Sequence, residues 1–252
     1  MFKKKRKCFW LMSIVLMLAG ILPVSNVQNV KALASQEKPE FQVGIYKGFF
    51  KGYRLRALIS GLDKQDGIRA RGITRLKLGV FDKYDVIIMP QQIDATSVNN
   101  CANDIRTWVE KGGGIMFLHD AVGYRKHEPI FKEIGAGVNH AKLDKLRITK
   151  VHAVTQGLPV GYVFSPGFRY DHIAMKKGPD GETVIENEQN DPVVVVGKFG
   201  KGKVVLNGMC PGFSGDRTNS SGRIKEPEGD ELKIVVNAIR WLAGKRDDSL
   251  AK

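Results

Sequence analysis

The run GGGIMFLHDA, residues 112–121, decides the fold. Three glycines suit the end of a helix, because the chain must leave the helical conformation there. Ile115 to Leu118 then form an unbroken apolar stretch with no polar alternation, the pattern of a strand covered on both faces. His119 stands where that strand runs out. Outward from this run the same grammar repeats. Residues 84–90 (YDVIIMP) read as a second buried strand closed by proline, and residues 41–46 (FQVGIY) as a third. Between them, residues 53–64 predict a helix and residues 67–74 a strand. Ser97 is the expected cap of the helix leading to Gly112, with Ile105, Trp108 and Val109 as its apolar stripe. Residues 128–134 predict a further short helix.

Strand and helix alternating in this way imply an α/β domain with an open, mostly parallel sheet and helices on both faces. The second half is richer in strands. Residues 146–151, 162–165, 182–186 and 193–199 are candidates, and the last turns through Gly200-Lys201-Gly202 into residues 203–207 as a hairpin. Residues 228–242 predict an amphipathic closing helix. That half is therefore expected to be partly antiparallel. No internal repeat or low-complexity linker divides the chain.

The first residues read differently. Lys3, Lys4, Lys5, Arg6 and Lys7 precede an apolar run from Cys8 to Val24, and Ala32-Leu33-Ala34 supplies a small-x-small site. Residues 1–34 are expected to be a cleaved signal peptide rather than a retained anchor, placing the protein outside the cytoplasm. Ile21 stands where a lipoprotein would carry cysteine. Residues 35–40 read as a short linker, 41–244 as the domain and 245–252 as a frayed tail. Processing would lower the formal charge from +14 to +8, leaving 34 basic residues against 26 acidic. The basic residues are scattered without aromatic interleaving, so nucleic acid is not an expected partner. Anionic cell-wall polymers are compatible with the surplus, and the membrane is met only through the signal peptide. An oxidising compartment would permit a Cys101–Cys210 disulfide, though their separation in sequence gives it little support.

Ligands of open parallel sheets collect beyond the carboxyl ends of the strands. That rule selects the loops after Tyr46, Met89, His119 and Asn207. His119 alone among these strand-end residues titrates near neutrality, and it is expected to face an open cleft as a general acid or base.

Five segments taken in order resemble the ThuA-like (trehalose-utilisation) family. They are YDVIIMP (84–90), WVEKGGGIMFLH (108–119), VHAVTQGLP (151–159), GKGKVV (200–205) and VNAIRWL (236–242). The resemblance implies a class I glutamine-amidotransferase-like, flavodoxin-like fold and a loose association with sugar metabolism. It also implies that His119 replaces the nucleophilic cysteine carried by amidotransferases at a sharp elbow. Phe117 would crowd such an elbow, which asks for small residues two positions either side of the nucleophile. Segment 168–172 (FRYDH) falls where relatives carry an acidic pair, so Asp171 and His172 become catalytic partners expected across the cleft from His119. His152, matching a family histidine, reads as a structural turn residue.

Tyr46, Phe49, Tyr124 and Tyr170 are the expected stacking faces for a sugar, together with Phe50. Gln91 and Asp120 are the polar members of the substrate-binding set. No cofactor is required by this reading. Were a zinc ion present, His119, His140 and His172 would be its ligands, although no His-x-x-His or Cys-x-x-Cys spacing points to one. Three functions remain open at this point. They are a secreted enzyme acting on a carbohydrate, a non-catalytic carbohydrate or cell-wall binding module, and a cysteine-dependent amidase using Cys210 in the glycine-rich segment 207–216 (NGMCPGFSGD).

Overall fold

The structure is a computed structural model that describes residues 41–47, 55–91, 94–142, 144–215 and 222–244, all within one compact unit, Lys38–Lys252. The expected signal peptide, the linker, Phe49, Phe50 and the tail 245–252 lie outside the described residues. Among the described residues no helix is long and apolar enough to cross a membrane.

The chain alternates strand and helix through its first half: β1 (Phe41–Tyr46), α1 (Arg56–Asp63), β2 (Ile68–Ile73), α2 (Leu78–Phe81), β3 (Val86–Met89), α3 (Ala95–Asn100), α4 (Ala102–Glu110) and β4 (Gly114–Leu118). Strands then dominate: β5 (Gly135–Ala141), β6 (Leu146–Ile148), β7 (Val163–Phe164), β8 (His172–Lys177), β9 (Gly181–Asn187), β10 (Pro192–Phe199) and β11 (Gly202–Asn207), before the closing helix α5 (Gly229–Leu242). Nine strands form one sheet in the order β2-β1-β3-β4-β11-β10-β9-β6-β7. From β2 to β11 the neighbours are parallel. From β11 to β7 they are antiparallel, beginning with the expected β10–β11 hairpin. The parallel order 2-1-3-4 with a fifth strand outside β4 is that of a flavodoxin-like sheet.

Period-two alternation sorts the central strands between two cores. Val43, Val86, Ile88, Met116 and Leu118 pack on one face with Leu58 and Leu62 of α1 and Ile234, Val235 and Ile239 of α5. Ile87, Met89, Ile115 and Phe117 pack on the other with Phe81 of α2, Val98 of α3 and Ile105 and Val109 of α4. Helices therefore cover both faces.

Several local expectations are corrected. Asp94, not Ser97, caps α3: its side chain accepts from Thr96 N at 3.1 Å and from Ser97 Oγ at 2.5 Å. A carboxylate one residue before the helix outcompetes a hydroxyl inside it. Residues 128–134 form no helix; 130–134 are turns. Ile130, Phe131 and Ile134 are buried, so their helix-like spacing reflects three anchors on the sheet, not a helical backbone. β5 and β8 pair antiparallel as a separate ribbon. β5 escaped notice because GAGVNHA does not alternate, Val138 is 53 % exposed, and the pairing is bulged between Gly137 and Asn139.

The exit of β11 is tied to this ribbon by close backbone contact. Ile173 N donates to Gly208 O at 3.0 Å and Gly208 N to Val193 O at 2.8 Å. A Cβ at Gly208 would sit 2.0 Å from Ile173 O. Gly208→Ala is therefore expected to destabilise the fold by about 1–3 kcal/mol, read as a lower urea midpoint at unchanged m-value.

Candidate functional site

His119 leaves β4 in an unusual conformation. It begins a 3₁₀ turn, His119–Val122, with φ of 50°, and Gly123 closes the turn with φ of 96°. A non-glycine residue in the left-handed region is uncommon and carries local strain. The chain thus makes a sharp bend at the strand end even though Phe117 lies two residues earlier. Phe117 is accommodated because it points down into the core beside Phe131, ring centroids 6.0 Å apart, and not into the turn.

The bend does not present His119 to an open cleft, as the sequence led us to expect. His119 is 2 % exposed. Its surroundings are polar rather than apolar. Nε2 meets Asp171 Oδ1 at 3.2 Å, and Nδ1 lies 3.2 Å from Asp120 Oδ1. The β5–β8 ribbon supplies the rest. Its register pairs Ala141 with His172 and His140 with Ile173, which sets His140 near the end of one strand and Asp171 just before the other. His140 Nδ1 makes a short hydrogen bond to Asp171 Oδ2, and its Nε2 lies 3.4 Å from Asp120 Oδ1. Two imidazoles and two carboxylates therefore alternate in a closed ring. His140, with its side chain 19 % exposed, is its most accessible imidazole.

His172 does not join this ring. It opens β8 directly after Asp171, so its side chain projects to the opposite face. It is fully buried with Nε2 3.1 Å from Asn187 Nδ2. His140 takes the place expected of His172, and reached it through a strand the sequence pattern hid. The sequence names His140 only as a conditional zinc ligand with His119 and His172, without the strand that sets it against Asp171.

The other expected residues divide. Asp120 is a ring member. Tyr124 flanks it, with ring centroid 4.9 Å from His140, and Arg125 reaches over Tyr124 and lies 3.8 Å from Asp120. Tyr170 is half-buried beside Asp171, with Lys142 Nζ 4.9 Å above its ring. Tyr46 is a core residue, 2 % exposed. Even-numbered residues of β1 turn toward the α4 side, and burial raises its phenol's pKa despite a hydrogen bond with Ser97. Gln91 contacts the Cys210 thiol through Oε1 and makes no contact with the ring imidazoles among those described. His152 caps the 3₁₀ turn 153–155, accepting from Val154 N at 3.1 Å, which is the structural role expected of it.

Ring electrostatics follow from the geometry. Burial disfavours the His119 imidazolium, but Asp120 and Asp171 outweigh it and raise its pKa above the ordinary 6.5. Burial likewise works against the carboxylate of Asp171, yet His119 and His140 hold its pKa below 3.8, and Asp120 is lowered by the same imidazoles together with Arg125. Lowered carboxylates stabilise the fold above their unfolded pKa values, and a raised histidine stabilises it below its own. The ring's contribution is thus greatest between about pH 4 and 6.5. It is lost at lower pH as the carboxylates protonate, and at higher pH as His119 deprotonates.

Cys101 and Cys210 are both free thiols. Cys210 is 1 % exposed, and burial, then the charges of Glu231, Asp171 and Asp120, push its thiol well above the ordinary range. A thiolate nucleophile needs the opposite environment. Cys210→Ser is expected to leave function unchanged, and native protein should resist thiol reagents at Cys210 until unfolded.

No protein-family model and no curated protein matches the chain. Solved structures do. A protein from Bacteroides uniformis described as ThuA-like superposes with a TM-score of 0.58 at 16 % identity, covering 85 % of this chain and 96 % of that one. A second, from Parabacteroides merdae and also described as ThuA-like, gives 0.57 at 15 % identity over 83 % and 92 %. A protein from Thermoplasma acidophilum described as one of the subunits of GMP synthase gives 0.54 at 11 % identity over 83 % and 98 %. The chain has the fold these proteins share.

Proposed function

We propose that this chain is a ThuA-like protein that acts on a carbohydrate outside the cytoplasm, through the ring of His119, Asp171, His140 and Asp120. The observation carrying the proposal is the Asp171 carboxylate held between two imidazoles at the carboxyl end of the central strand. A carboxylate that fixes the orientation and tautomer of a histidine is the arrangement general acid–base catalysis requires. His140, the more exposed imidazole, is the group that exchanges a proton with a sugar hydroxyl or glycosidic oxygen. Asp171 orients it, and His119 and Asp120 position Asp171 and the far side of the ring. Tyr124 and Tyr170 provide the aromatic faces on which a sugar ring stacks, and Arg125 and Lys142 favour a ligand with anionic or acceptor-rich substituents. Support for export comes from the basic cluster, apolar run and Ala32-Leu33-Ala34 site of the first 34 residues. The proposed partners are therefore a sugar or glycan fragment and, through the basic surplus, anionic cell-wall polymers.

A second reading is a carbohydrate-binding module without turnover. It is favoured by the burial of His119, which keeps one of the two imidazoles from the ligand. The readings separate on a panel containing trehalose, cellobiose and soluble cell-wall glycan fragments, assayed for release of reducing ends and for binding by calorimetry. The enzyme reading predicts turnover that His140→Gln removes. Binding without turnover, lost in the same variant, selects the module. Neither binding nor turnover across the panel would refute the carbohydrate assignment.

A further inference from the structure

The ring packs two carboxylates and two imidazoles against one another largely out of water. Each neutral imidazole has one N–H and one lone pair. Yet all four ring nitrogens face carboxylate oxygens: His119 through Nε2 to Asp171 and Nδ1 to Asp120, His140 through Nδ1 to Asp171 and Nε2 to Asp120. Neutral rings would turn two lone pairs on carboxylate oxygens, an arrangement that costs free energy in a buried site. His119 Nδ1, His140 Nε2 and Asp120 Oδ1 are moreover buried with no hydrogen-bond partner of acceptable geometry. Two protons or one divalent cation would balance both the charge and the donors.

We infer that His119, His140 and Asp171 form a binding site for one divalent transition-metal ion of the zinc class, with Asp120 as the outer carboxylate that orients both imidazoles. One ligand atom from each of the three lies within 4.8 Å of the others. Metal–ligand bonds of about 2.0–2.2 Å hold donors at comparable separations, so modest side-chain rotations suffice. Two imidazoles and one carboxylate suit zinc, iron or manganese, whereas calcium takes oxygen ligands. When His119 and His140 ligate through the nitrogens facing Asp171, their remaining nitrogens lie 3.2 and 3.4 Å from Asp120 Oδ1, close enough for small rotations to form the pairing that fixes ring orientation in histidine metal sites. Three protein ligands leave a position for water or a sugar hydroxyl, and the ion would lower the pKa of such a water toward neutrality. The strained turn at His119 and the ribbon carrying His140 and Asp171 bring the ligands from three separate segments to one point.

This inference rests on the ring identified above and names what the ring holds. The test uses the full chain stripped with chelator and dialysed. Calorimetric titration with Zn²⁺ and Mn²⁺, with Ca²⁺ as control, is read with metal content by mass spectrometry. One equivalent of Zn²⁺ or Mn²⁺ should bind, with Ca²⁺ much weaker. His140→Gln and Asp171→Ala should each weaken the ion at least about 100-fold, and Asp120→Asn about 10–100-fold. His140→Gln keeps its volume, and circular dichroism establishes that each variant is folded. Absence of stoichiometric binding, or binding unaffected in a folded His140→Gln protein, overturns the metal site. If stripped protein still binds or turns over a member of the glycan panel in a His140-dependent way, the carbohydrate reading survives without the ion. If the ion binds as stated but the panel is silent, the metal site stands and that reading falls.

Discussion

Asp171→Asn is expected to lower turnover of the carbohydrate substrate on the order of 10³–10⁴-fold, the scale of loss when the carboxylate orienting a catalytic histidine becomes an amide. The reason lies in donor counting. Asp171 accepts from both His119 and His140, and an asparagine offers one oxygen and one NH₂ to two imidazoles. One of them must then present a lone pair to that NH₂, which imposes the other tautomer on it. The amide also removes a charge that favours the His119 imidazolium. Steady-state kinetics on whichever panel member is processed, or affinity if none is, should separate this variant from Cys210→Ser. Loss in Cys210→Ser with retention in Asp171→Asn would transfer the chemistry to the thiol.

Glu231→Gln is expected to stabilise the protein strongly at alkaline pH and little near pH 5. Glu231 lies in the first turn of α5 and is 3 % exposed, with Oε1 lacking a hydrogen-bond partner among the described residues. Burial raises its pKa from 4.5 to about 8, against a backbone hydrogen bond from Gly167 that lowers it and with Glu228 adding to the rise. A group whose folded pKa lies above its unfolded value stabilises the fold fully below the unfolded pKa and loses that contribution as pH rises through the folded one. Stability should therefore decline from about pH 4.5 to about pH 8, by several kcal/mol, because each tenfold change in proton affinity between folded and unfolded chain is worth roughly 1.4 kcal/mol. Glutamine keeps an acceptor for Gly167 N and cannot ionise, so it should flatten this decline. Urea denaturation at pH 5 and pH 8.5 measures it. A wild-type protein with equal stability at the two values, or a glutamine variant with the same slope, would show that Glu231 is not neutral in the fold. The neighbouring ring loses stability over the upper part of this range as well, through His119, so the glutamine variant also isolates the ring's share.

The parallel half was legible because its strands are buried on both faces and announce themselves as apolar runs: strand 86–89 lies within the expected run 84–90, and strand 114–118 begins one residue before the expected Ile115. The position of His119 followed from the same runs. What the sequence concealed was the ribbon. β5 and β8 lie outside the main sheet. β5 is bulged and partly exposed, so it lacks both the unbroken apolar run and the alternation that identify strands. With β5 unseen, His140 was named only as a conditional zinc ligand with His119 and His172, and no strand pairing set it beside Asp171, 31 residues away in the chain. The same omission favoured His172 for the site, because Asp171 and His172 were read as one polar pair before the strand's alternation sent them to opposite faces. Exposure was misjudged for a related reason. A strand end predicts that a side chain reaches the ligand side of the sheet, but not that a ribbon will fold over it and bury it.

The claim that the His119–Asp171–His140–Asp120 ring is the working centre is tested most directly by nuclear magnetic resonance of histidine-labelled protein. The five imidazoles, His119, His127, His140, His152 and His172, are assigned by glutamine substitution and followed while the glycan panel is added. The account predicts saturable shifts of His140 and His119 with at least one panel member, with His127, His152 and His172 unmoved. Shifts centred on His172 or His152, or no shift of His140 at saturation, would contradict it.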